Sequence, residues 1–454
     1  MICGRLTAAG AWGQRTPAHP GSPRGLRPPP RPGTITRPLT GPSDPGCHAL
    51  ARPDGIPGPL RRGGRRVKGL GRRARAAESA GDPWNRRPHV PVTPSPVPPA
   101  LAVAEHPPFS PRGPVSSAIL RHLVDGVDEG HTALAEAAVA VAADIERDDD
   151  LQLALFALYA SAYGAFAAFD PDLEWDPSLI ATRRLLEAAF EASLRRSVPV
   201  PELPEPTGDA VARALFALTG AEGGPSLSRY LARKATLAQA SEFLVQRTIY
   251  TLREADPHSW AIPRLSGRAK AALVEIQSDE YGGGRPDRVH ATLFARAVRG
   301  AGLDDTYGAY VDLVPSVTLA SLNTMSMFGL NRRLVGAIVG HLAAFEMTSS
   351  IPNRLYAEGL RRLGFGDDVC EYFDEHVEAD AVHEQIAGRD LAGALAEDRP
   401  DLLPDIVFGA AACLVVDDRV GQHMLEAWGR GESSLRPGAA GLPDRDAATI
   451  EARA

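Results

Sequence analysis

Cysteine is scarce in this chain of 454 residues, and the few cysteines present are far apart. The four are Cys3, Cys47, Cys370 and Cys413, and no two of them form a C-x-x-C pair. That scarcity argues against both a thiolate zinc site and a framework of disulfides. We therefore expect a reducing compartment, most simply the cytoplasm.

Long uncharged apolar runs are also lacking. The best candidate, residues 153–169, carries no charge but falls short of the roughly 20 residues that span a bilayer. Acidic clusters at 148–150 and 170–172 flank it where a membrane span would have basic anchors. A buried helix explains this run better, so no membrane association is expected.

Acidic residues are nearly missing from the first 100 residues, which hold four of them against sixteen arginines and one lysine. The same stretch contains 20 of the 40 prolines and 15 of the 44 glycines, without any apolar period. We therefore predict that residues 1–112 form a disordered basic leader. The proline content excludes the amphipathic helix of a transit peptide, and the apolar core of a secretory signal is missing. Because the second methionine is Met325, a mis-assigned start is an alternative explanation.

The remainder of the chain is acidic. Residues 101–454 contain 32 basic and 52 acidic residues, a net charge of −20. Such a surface repels phosphate backbones, so nucleic-acid binding is not expected. A cationic or amine-bearing small molecule suits this charge better.

From residue 113 to residue 430 the pattern is helical. Alanine and leucine recur at helical spacing between breaks at glycine or proline, and neither alternating β-branched runs nor fixed-length repeats are evident. We predict one all-α domain over 113–430, folded as a helical bundle, and a flexible tail at 431–454. The predicted helices span 116–146, 151–168, 177–197, 208–219, 226–254, 265–281, 287–301, 304–313, 316–346, 352–363, 367–388, 391–397 and 404–428.

The strongest local motif is a stripe of metal-binding residue types near the end of the domain. His376, Asp380 and His383 follow an i, i+4, i+7 spacing, which places them within about 60° of one helix face. Two imidazoles and a carboxylate suit iron, and could also hold zinc or manganese. Taken alone, the stripe is explained equally well as part of a solvated acidic helix.

Two further carboxylates occupy apolar helix faces. Glu242 shares a stripe with Ala238, Val245 and Ile249, and Glu346 lies on a comparable face. A lone ionised carboxylate is very costly to bury, so each needs a basic partner, a raised pKa or a metal ion. We predict a ligand role for Glu242, and for Glu346 either a structural salt bridge or an additional metal contact.

A third cluster surrounds a triple glycine. Glu280 lies near the end of one predicted helix, Gly282 to Gly284 terminate it, and His290 begins the next helix. Each residue alone is explained by an exposed helix end or a capping imidazole. Their closeness across a tight connection makes a joint metal-binding role more plausible.

Together these residues supply three carboxylates and three imidazoles on four predicted helices. They are Glu242, Glu280, His290, His376, Asp380 and His383. Di-iron carboxylate bundles use a comparable inventory, but the Glu-x-x-His spacing of ferritin-like sites is missing. We therefore predict a metal centre in a helical bundle of another layout.

At these residues the chain resembles the haem-oxygenase-like diiron oxidases and oxygenases, a group often described as iron-containing redox enzymes. The resemblance implies about seven core helices with a non-haem site for two Fe²⁺ ions in place of haem, and O₂ as co-substrate. It also implies that Glu242, His290 and His383 surround one iron and His376 and Asp380 the other, with Glu280 able to bridge. The sequence segments that carry this resemblance are residues 240–244, 254–258, 279–282, 328–333 and 340–342.

The implied activity is oxidation of a small amine- or carboxylate-bearing metabolite, for example N-oxygenation or oxidative carbon–carbon cleavage. The expected partners are this substrate and an unidentified electron donor, and a homodimer is left open. Candidate side chains around the ligands are Glu346, Tyr281, Asp279, His341 and Glu275.

Three alternatives remain open at this stage. A haem-binding or haem-degrading protein of the same shape would use His122 or His131 as axial ligand. A cofactor-free protein of this fold would use polar pocket residues alone. A non-catalytic interaction module would hold the carboxylates in salt bridges.

Overall fold

The computed structural model describes residues 107–220 and 226–437, and within this part the side chains of 378–381 are not described. The described residues form helices joined by short connections, and no strand occurs among them. The predicted all-α fold is thus confirmed. The helices are α1 (Pro114–Asp125), α2 (His131–Val141), α3 (Asp149–Ala162), α4 (Pro177–Ser197), α5 (Gly208–Thr219), α6 (Leu227–Arg233), α7 (Leu237–Thr251), α8 (Asp256–Ser259), α9 (Gly267–Glu280), α10 (His290–Gly300), α11 (Ser316–Leu330), α12 (Val335–Met347), α13 (Ser350–Arg362), α14 (Asp367–Gln385), α15 (Ala394–Asp398) and α16 (Leu403–Gly429).

Local sequence explains where several helices begin. The Asp148 side chain accepts a hydrogen bond from the Leu151 amide at the start of α3. Thr236 and Gln239 form a reciprocal capping box at the start of α7. Such side chains satisfy amide groups that the first helical turn leaves unpaired.

Four predicted helices are interrupted or absent in the structure. The predicted 316–346 helix divides into α11 and α12, which a 3₁₀ turn at Arg332–Leu334 separates. Gly126 (φ 71°) and Gly130 (φ 78°) take left-handed conformations that break the predicted 116–146 helix into α1 and α2. The predicted 226–254 helix is interrupted between α6 and α7, where Thr236 caps a new start. Residues 304–313 form turns, because Gly308 (φ 89°) lies against the ring of Phe166 with no room for a Cβ.

The core is closest-packed where α12 crosses α16. A Cβ added at Gly340 would overlap the Ile406 carbonyl, and one added at Gly409 would overlap the Ala337 carbonyl. Both glycines therefore let two buried backbones approach within the distance that a side chain would occupy. This crossing holds α12, which carries Glu346, at a fixed depth in the bundle.

The packed part extends beyond the predicted domain limits at both ends. Phe109 is 4% exposed and its ring packs on Phe156 and Phe166. Ser434 is 1% exposed and lies in the segment predicted to be a flexible tail. Contacts distant in sequence therefore bury individual residues a few positions outside 113 and 430.

Among the described helices, none is by itself long and apolar enough to cross a membrane. One bent pair, Arg332–Met347 with Ser350–Arg362, meets the length and composition requirement together, with a 49° bend between its halves.

Candidate metal centre

Six ionisable side chains meet in the interior of the bundle, each no more than 7% exposed. They come from the end of α9, the start of α10, from α12, from two positions on α14 and from the residues just after α7. The six are Glu254, Glu280, His290, Glu346, His376 and His383. They form two groups that share one member.

The first group contains Glu254, Glu280, His290 and His376, whose ligand atoms all lie within 4.8 Å of one another. His290 Nδ1 is 3.0 Å from Glu280 Oε2, and His376 Nε2 is 3.5 Å from Glu254 Oε1. The rings of His290 and His376 are 4.4 Å apart between centroids. Two carboxylates and two imidazoles thus converge on one point.

The second group contains Glu280, Glu346 and His383, also with ligand atoms within 4.8 Å of one another. His383 Nδ1 is 3.4 Å from Glu346 Oε2. Glu280 belongs to both groups, so its carboxylate lies between two clusters of donors. His376 and His383 are seven residues apart on α14, about 10 Å along the axis, which explains why they serve different groups.

The connection between α9 and α10 brings Glu280 and His290 together. Glu280 is the last residue of α9 and His290 the first of α10. Gly282 (φ 76°) packs against the opposite side of this loop, where an added Cβ would lie 2.7 Å from the Val289 amide nitrogen. Only glycine combines that left-handed conformation with this close approach.

Glu254 reaches the cluster from an irregular segment between α7 and α8. The next residue, Ala255, has a left-handed backbone (φ 72°) and is the one non-glycine residue with positive φ among those described. Its carbonyl accepts a hydrogen bond from Gln277 Nε2 at 2.9 Å. A non-glycine residue in this region is strained and persists only where surrounding contacts hold it, as is common at functional sites.

Hydrogen bonds outside the cluster orient its ligand atoms. His376 Nδ1 donates to the Tyr372 carbonyl at 2.7 Å, and its Nε2 faces Glu254. His383 Nε2 contacts Asp279 Oδ2 at 3.1 Å, which directs Nδ1 toward Glu346. The Tyr372 hydroxyl donates to both oxygens of Glu254 at 2.9 Å. Metal-binding histidines are usually held by such contacts to their second nitrogen.

The charged groups of the cluster affect the ionisation of one another. Burial opposes ionisation of Glu280, but the charge and hydrogen bond of His290, together with the charges of His376 and His383, outweigh it and lower the pKa of Glu280 to about 2. Burial likewise opposes protonation of His290 and His383, yet Glu280 and Glu346, respectively, raise their pKa values to about 9. Burial raises the pKa of Glu346, against the opposing effect of His383.

The cluster fits a transition-metal ion better than a set of salt bridges. His290 Nδ1 and His376 Nε2 are buried without a well-aligned hydrogen bond, although each is close to a carboxylate. Orphaned nitrogens of this kind in a native interior require an explanation. A cavity of about 10 Å³, enough for one water-sized body, lies among Glu254, Glu280, Glu346 and His376. Imidazole and carboxylate donors around it suit iron.

The structure brings together four of the six residues predicted as ligands, namely Glu280, His290, His376 and His383. Asp380 lies on α14, but its side chain is outside the described residues. Glu346, predicted as structural or as an additional contact, faces His383 in the second group.

Glu242 requires a correction. Its Oε2 accepts hydrogen bonds from Trp428 Nε1 at 2.8 Å and from the amide and hydroxyl of Ser434 at 2.8 and 2.7 Å. It is absent from both donor groups, and Glu254 stands in the place expected for it. The grouping of His290 with His383 is also corrected, because His290 meets His376 instead.

Glu254 could have been found from the sequence. Pro257 restricts the residues before it and so predicts that α7 ends near residue 254. A carboxylate at a helix C-terminus is disfavoured by the helix dipole unless it has a partner. That conflict marks Glu254 more strongly than an apolar stripe marks Glu242.

The other predicted neighbours divide into near and distant ones. Asp279 contacts His383. His341 does not line the small cavity, but its Nδ1 is 3.2 Å from Nε2 of His258, which does. Tyr281 bonds to Ser259 and Asp256 at the surface. Glu275 is exposed and takes no part in either group.

The histidines proposed as haem ligands are engaged with each other. His122 Nδ1 and His131 Nε2 are 2.9 Å apart, and His131 Nδ1 contacts the Thr182 hydroxyl at 2.8 Å. Burial lowers the pKa of His131. This arrangement is that of a buried hydrogen-bonded pair and does not favour the haem alternative.

Comparison with known proteins supports an iron-dependent redox enzyme. Residues 241–418 match a family model described as an iron-containing redox enzyme. The matched residues extend from within α7 to within α16. The chain is 31% identical over 203 residues to nitrosourea synthase of Streptomyces achromogenes subsp. streptozoticus. That match covers 44% of this chain and 43% of the relative, so the chain spans less than half the length of that protein. The predicted resemblance is confirmed.

Proposed function

We propose that this chain, whose residues 241–418 match the model of the iron-containing redox enzyme family, is a non-haem di-iron oxygenase that oxidises a small metabolite with O₂. The observation that supports two ions is the position of Glu280, which is shared by two groups of buried donors. The Glu280 carboxylate would therefore be within reach of both ions.

Each ion has its own set of donors in this proposal. Glu254, His290 and His376 would hold the first ion and Glu346 and His383 the second, and Glu280 would be available to both. Asp380 is proposed for the second ion from its position on α14 alone. Tyr372 and Asp279 keep Glu254 and His383 in the required orientation.

When bound, the ferrous ions supply the electrons and open positions with which O₂ is activated. The chain provides the surroundings that this chemistry needs. Leu342 and Phe345 line the small cavity and exclude bulk water from it. The three glutamates concentrate negative charge around the ions, which favours their higher oxidation states.

The named product of the relative favours one of the predicted reactions. A nitrosourea carries an oxidised nitrogen, so similarity to nitrosourea synthase supports N-oxygenation over carbon–carbon cleavage. We therefore propose an amine-bearing substrate, and an external electron donor for repeated turnover.

Anaerobic reconstitution tests the proposal. Protein loaded with ferrous iron and freed of excess metal is expected to retain close to two irons per chain and to consume O₂ on mixing. The His290→Ala variant should retain about half the iron or less while keeping its far-ultraviolet helical signal. Wild-type protein that retains no iron and consumes no O₂ would overturn the proposal.

A further inference from the structure

Two buried histidines meet where α1 is joined to α2. His122 is in the last turn of α1 and His131 is the first residue of α2, and they are 5% and 0% exposed. His122 Nδ1 is 2.9 Å from His131 Nε2. Neither histidine belongs to the six-residue cluster or to residues 241–418, which match the family model. The proposed iron centre therefore does not explain this pair.

The loop between α1 and α2 turns a carboxylate back toward the pair. Gly126 (φ 71°) and Gly130 (φ 78°) take left-handed conformations at the two ends of this loop. The Gly130 amide donates to Asp128 Oδ1 at 2.8 Å, and the same oxygen is 3.5 Å from His131 Nε2. The ligand atoms of His122, Asp128 and His131 all lie within 4.8 Å of one another. One short stretch of sequence thus brings three metal-binding side chains together.

Helix α4 adds an oxygen atom to the surroundings of His131 Nε2. Ser178 Oγ is 3.4 Å from this nitrogen and donates to Asp176 Oδ1 at 2.6 Å. The hydroxyl proton is therefore engaged, so a lone pair of Ser178 faces the histidines. A proton shared by the two ring nitrogens satisfies only their own contact, whereas a metal cation attracts the lone pairs of both imidazoles and of the Asp128 carboxylate.

The other ring nitrogen of His131 is held by a buried hydroxyl. Nδ1 is 2.8 Å from Thr182 Oγ1, and this hydroxyl is 2.7 Å from that of Thr132. Thr182 and His131 are both 0% exposed. Metal-binding histidines usually make such a contact with the nitrogen that does not bind the ion, and the contact fixes the orientation of the ring. Nε2 is thereby directed at His122 and Asp128.

We propose that His122, Asp128 and His131 bind a zinc ion through Nδ1, Oδ1 and Nε2, respectively. Bonds of about 2.0–2.1 Å in a tetrahedral arrangement place neighbouring ligand atoms about 3.3 Å apart. The separations of 2.9 Å between the two nitrogens and 3.5 Å between His131 and Asp128 lie on either side of this value. Because the Asp128 side chain is 45% exposed, water can reach the fourth position.

The ion would connect three helices that lie outside the iron centre. It would join the end of α1 to the start of α2 directly, and the contact of His131 with Thr182 would connect both to α4. An ion that binds only the folded chain stabilises it. Sites with nitrogen and oxygen donors generally bind Zn²⁺ more tightly than Fe²⁺. The proposed site is therefore structural and distinct in metal from the iron centre.

Zinc retention tests the site in the full chain. Protein saturated with Zn²⁺ is dialysed against a weak chelator, and the zinc per chain is counted by elemental analysis. His131→Gln and Asp128→Asn should each retain one zinc ion fewer than the wild type, whatever number the six-residue cluster holds. The Asp128→Asn substitution keeps an oxygen for the Gly130 amide, so it removes the charge of the ligand and preserves the loop.

Two further variants separate a built site from surface charge. Asp172→Asn, at an exposed position outside the group, is the matched control and should retain as much zinc as the wild type. Thr182→Val should weaken zinc binding at this site about 10- to 100-fold in competition with a chromophoric chelator. Zinc should also raise the melting temperature of the wild type more than that of Asp128→Asn.

Two results would overturn the inference. One is equal zinc retention by the wild type, His131→Gln and Asp128→Asn, and the other is an equal loss in Asp128→Asn and Asp172→Asn, which would indicate nonspecific binding to the acidic surface. An unchanged far-ultraviolet helical signal distinguishes loss of a ligand from loss of the fold. The result is independent of the proposed function, because the three residues contribute nothing to the iron centre.

Discussion

Glu242 and Glu254 are both buried glutamates associated with α7, but their partners differ completely. Glu242 binds Trp428 and Ser434, whereas Glu254 meets His376 and the hydroxyl of Tyr372. The local sequence around each is compatible with a metal ligand. Contacts from 118 to 192 residues away distinguish them.

Alanine substitutions should separate these two roles. Glu254→Ala is expected to reduce retained iron from about two per chain to one or fewer, because one ion loses a carboxylate. Glu242→Ala should keep the iron and lower the free energy of unfolding by about 1–3 kcal/mol, since buried donors lose their acceptor. Metal analysis and urea unfolding provide the two measurements. The reverse pattern would restore Glu242 to the site and remove Glu254.

Protons and metal ions should compete for two imidazoles. Below pH 9, His290 and His383 are largely protonated in the metal-free protein, because nearby carboxylates raise their pKa values to about 9. Metal binding must release those protons, so affinity for Zn²⁺ is expected to rise as pH increases from 6 to 9. Calorimetry in buffers of different ionisation enthalpy measures the released protons directly.

The stability of the metal-free protein should change in the opposite direction. The raised pKa values stabilise the fold fully below the ordinary histidine value of 6.5, and this contribution is lost as pH rises through 9. His290→Gln should reduce both pH dependences. Zinc affinity that does not vary with pH would contradict the ionisation assigned to these residues.

At the level of elements, the crossing of α12 and α16 controls the depth of Glu346. Gly340→Ala would place a methyl group against the Ile406 carbonyl and should lower the free energy of unfolding by about 1–3 kcal/mol or more. Because α12 must then shift, iron retention at the second group should also fall. Gly429→Ala, on α16 with no neighbour within 4 Å of the added Cβ, is the control and should be neutral or slightly stabilising. Equal melting temperatures for both variants would show that the backbones of α12 and α16 have room for a methyl group at Gly340.

Periodicity in the sequence predicts some helix boundaries correctly and misses others. Periodicity locates α4, α5 and α14 closely, because each has an amphipathic face bounded by a cap or a glycine. It joins α6 to α7, because the break at Thr236 depends on a capping geometry within an otherwise helical pattern. After α14, residues Ile386–Gly393 form a π-helix that spacing alone did not indicate. Such π segments frequently occur beside functional sites.

At the scale of the whole molecule, the beginning of the packed part can be located by truncation. Removal of residues 1–106 is expected to leave iron content and melting temperature unchanged, as the composition of the leader predicts. Removal of residues 1–110 also deletes Phe109 and the bonds of Ser110 to Asp312, and should lower the free energy of unfolding by about 3 kcal/mol or more. Thermal unfolding of the two truncated proteins makes the comparison. Equal stability would show that the Phe109 contacts contribute little.

The sequence by itself determined the fold class, the acidic helical domain and four residues of the cluster. These features depend on local periodicity, on helix ends and on residue types whose burial needs a partner, and all three are readable along one chain. Tertiary structure decided that Glu254 and Glu346 join the cluster and that Glu242 anchors Ser434. Those outcomes depend on which distant helices lie side by side, and many side-chain pairings are compatible with the same helical period.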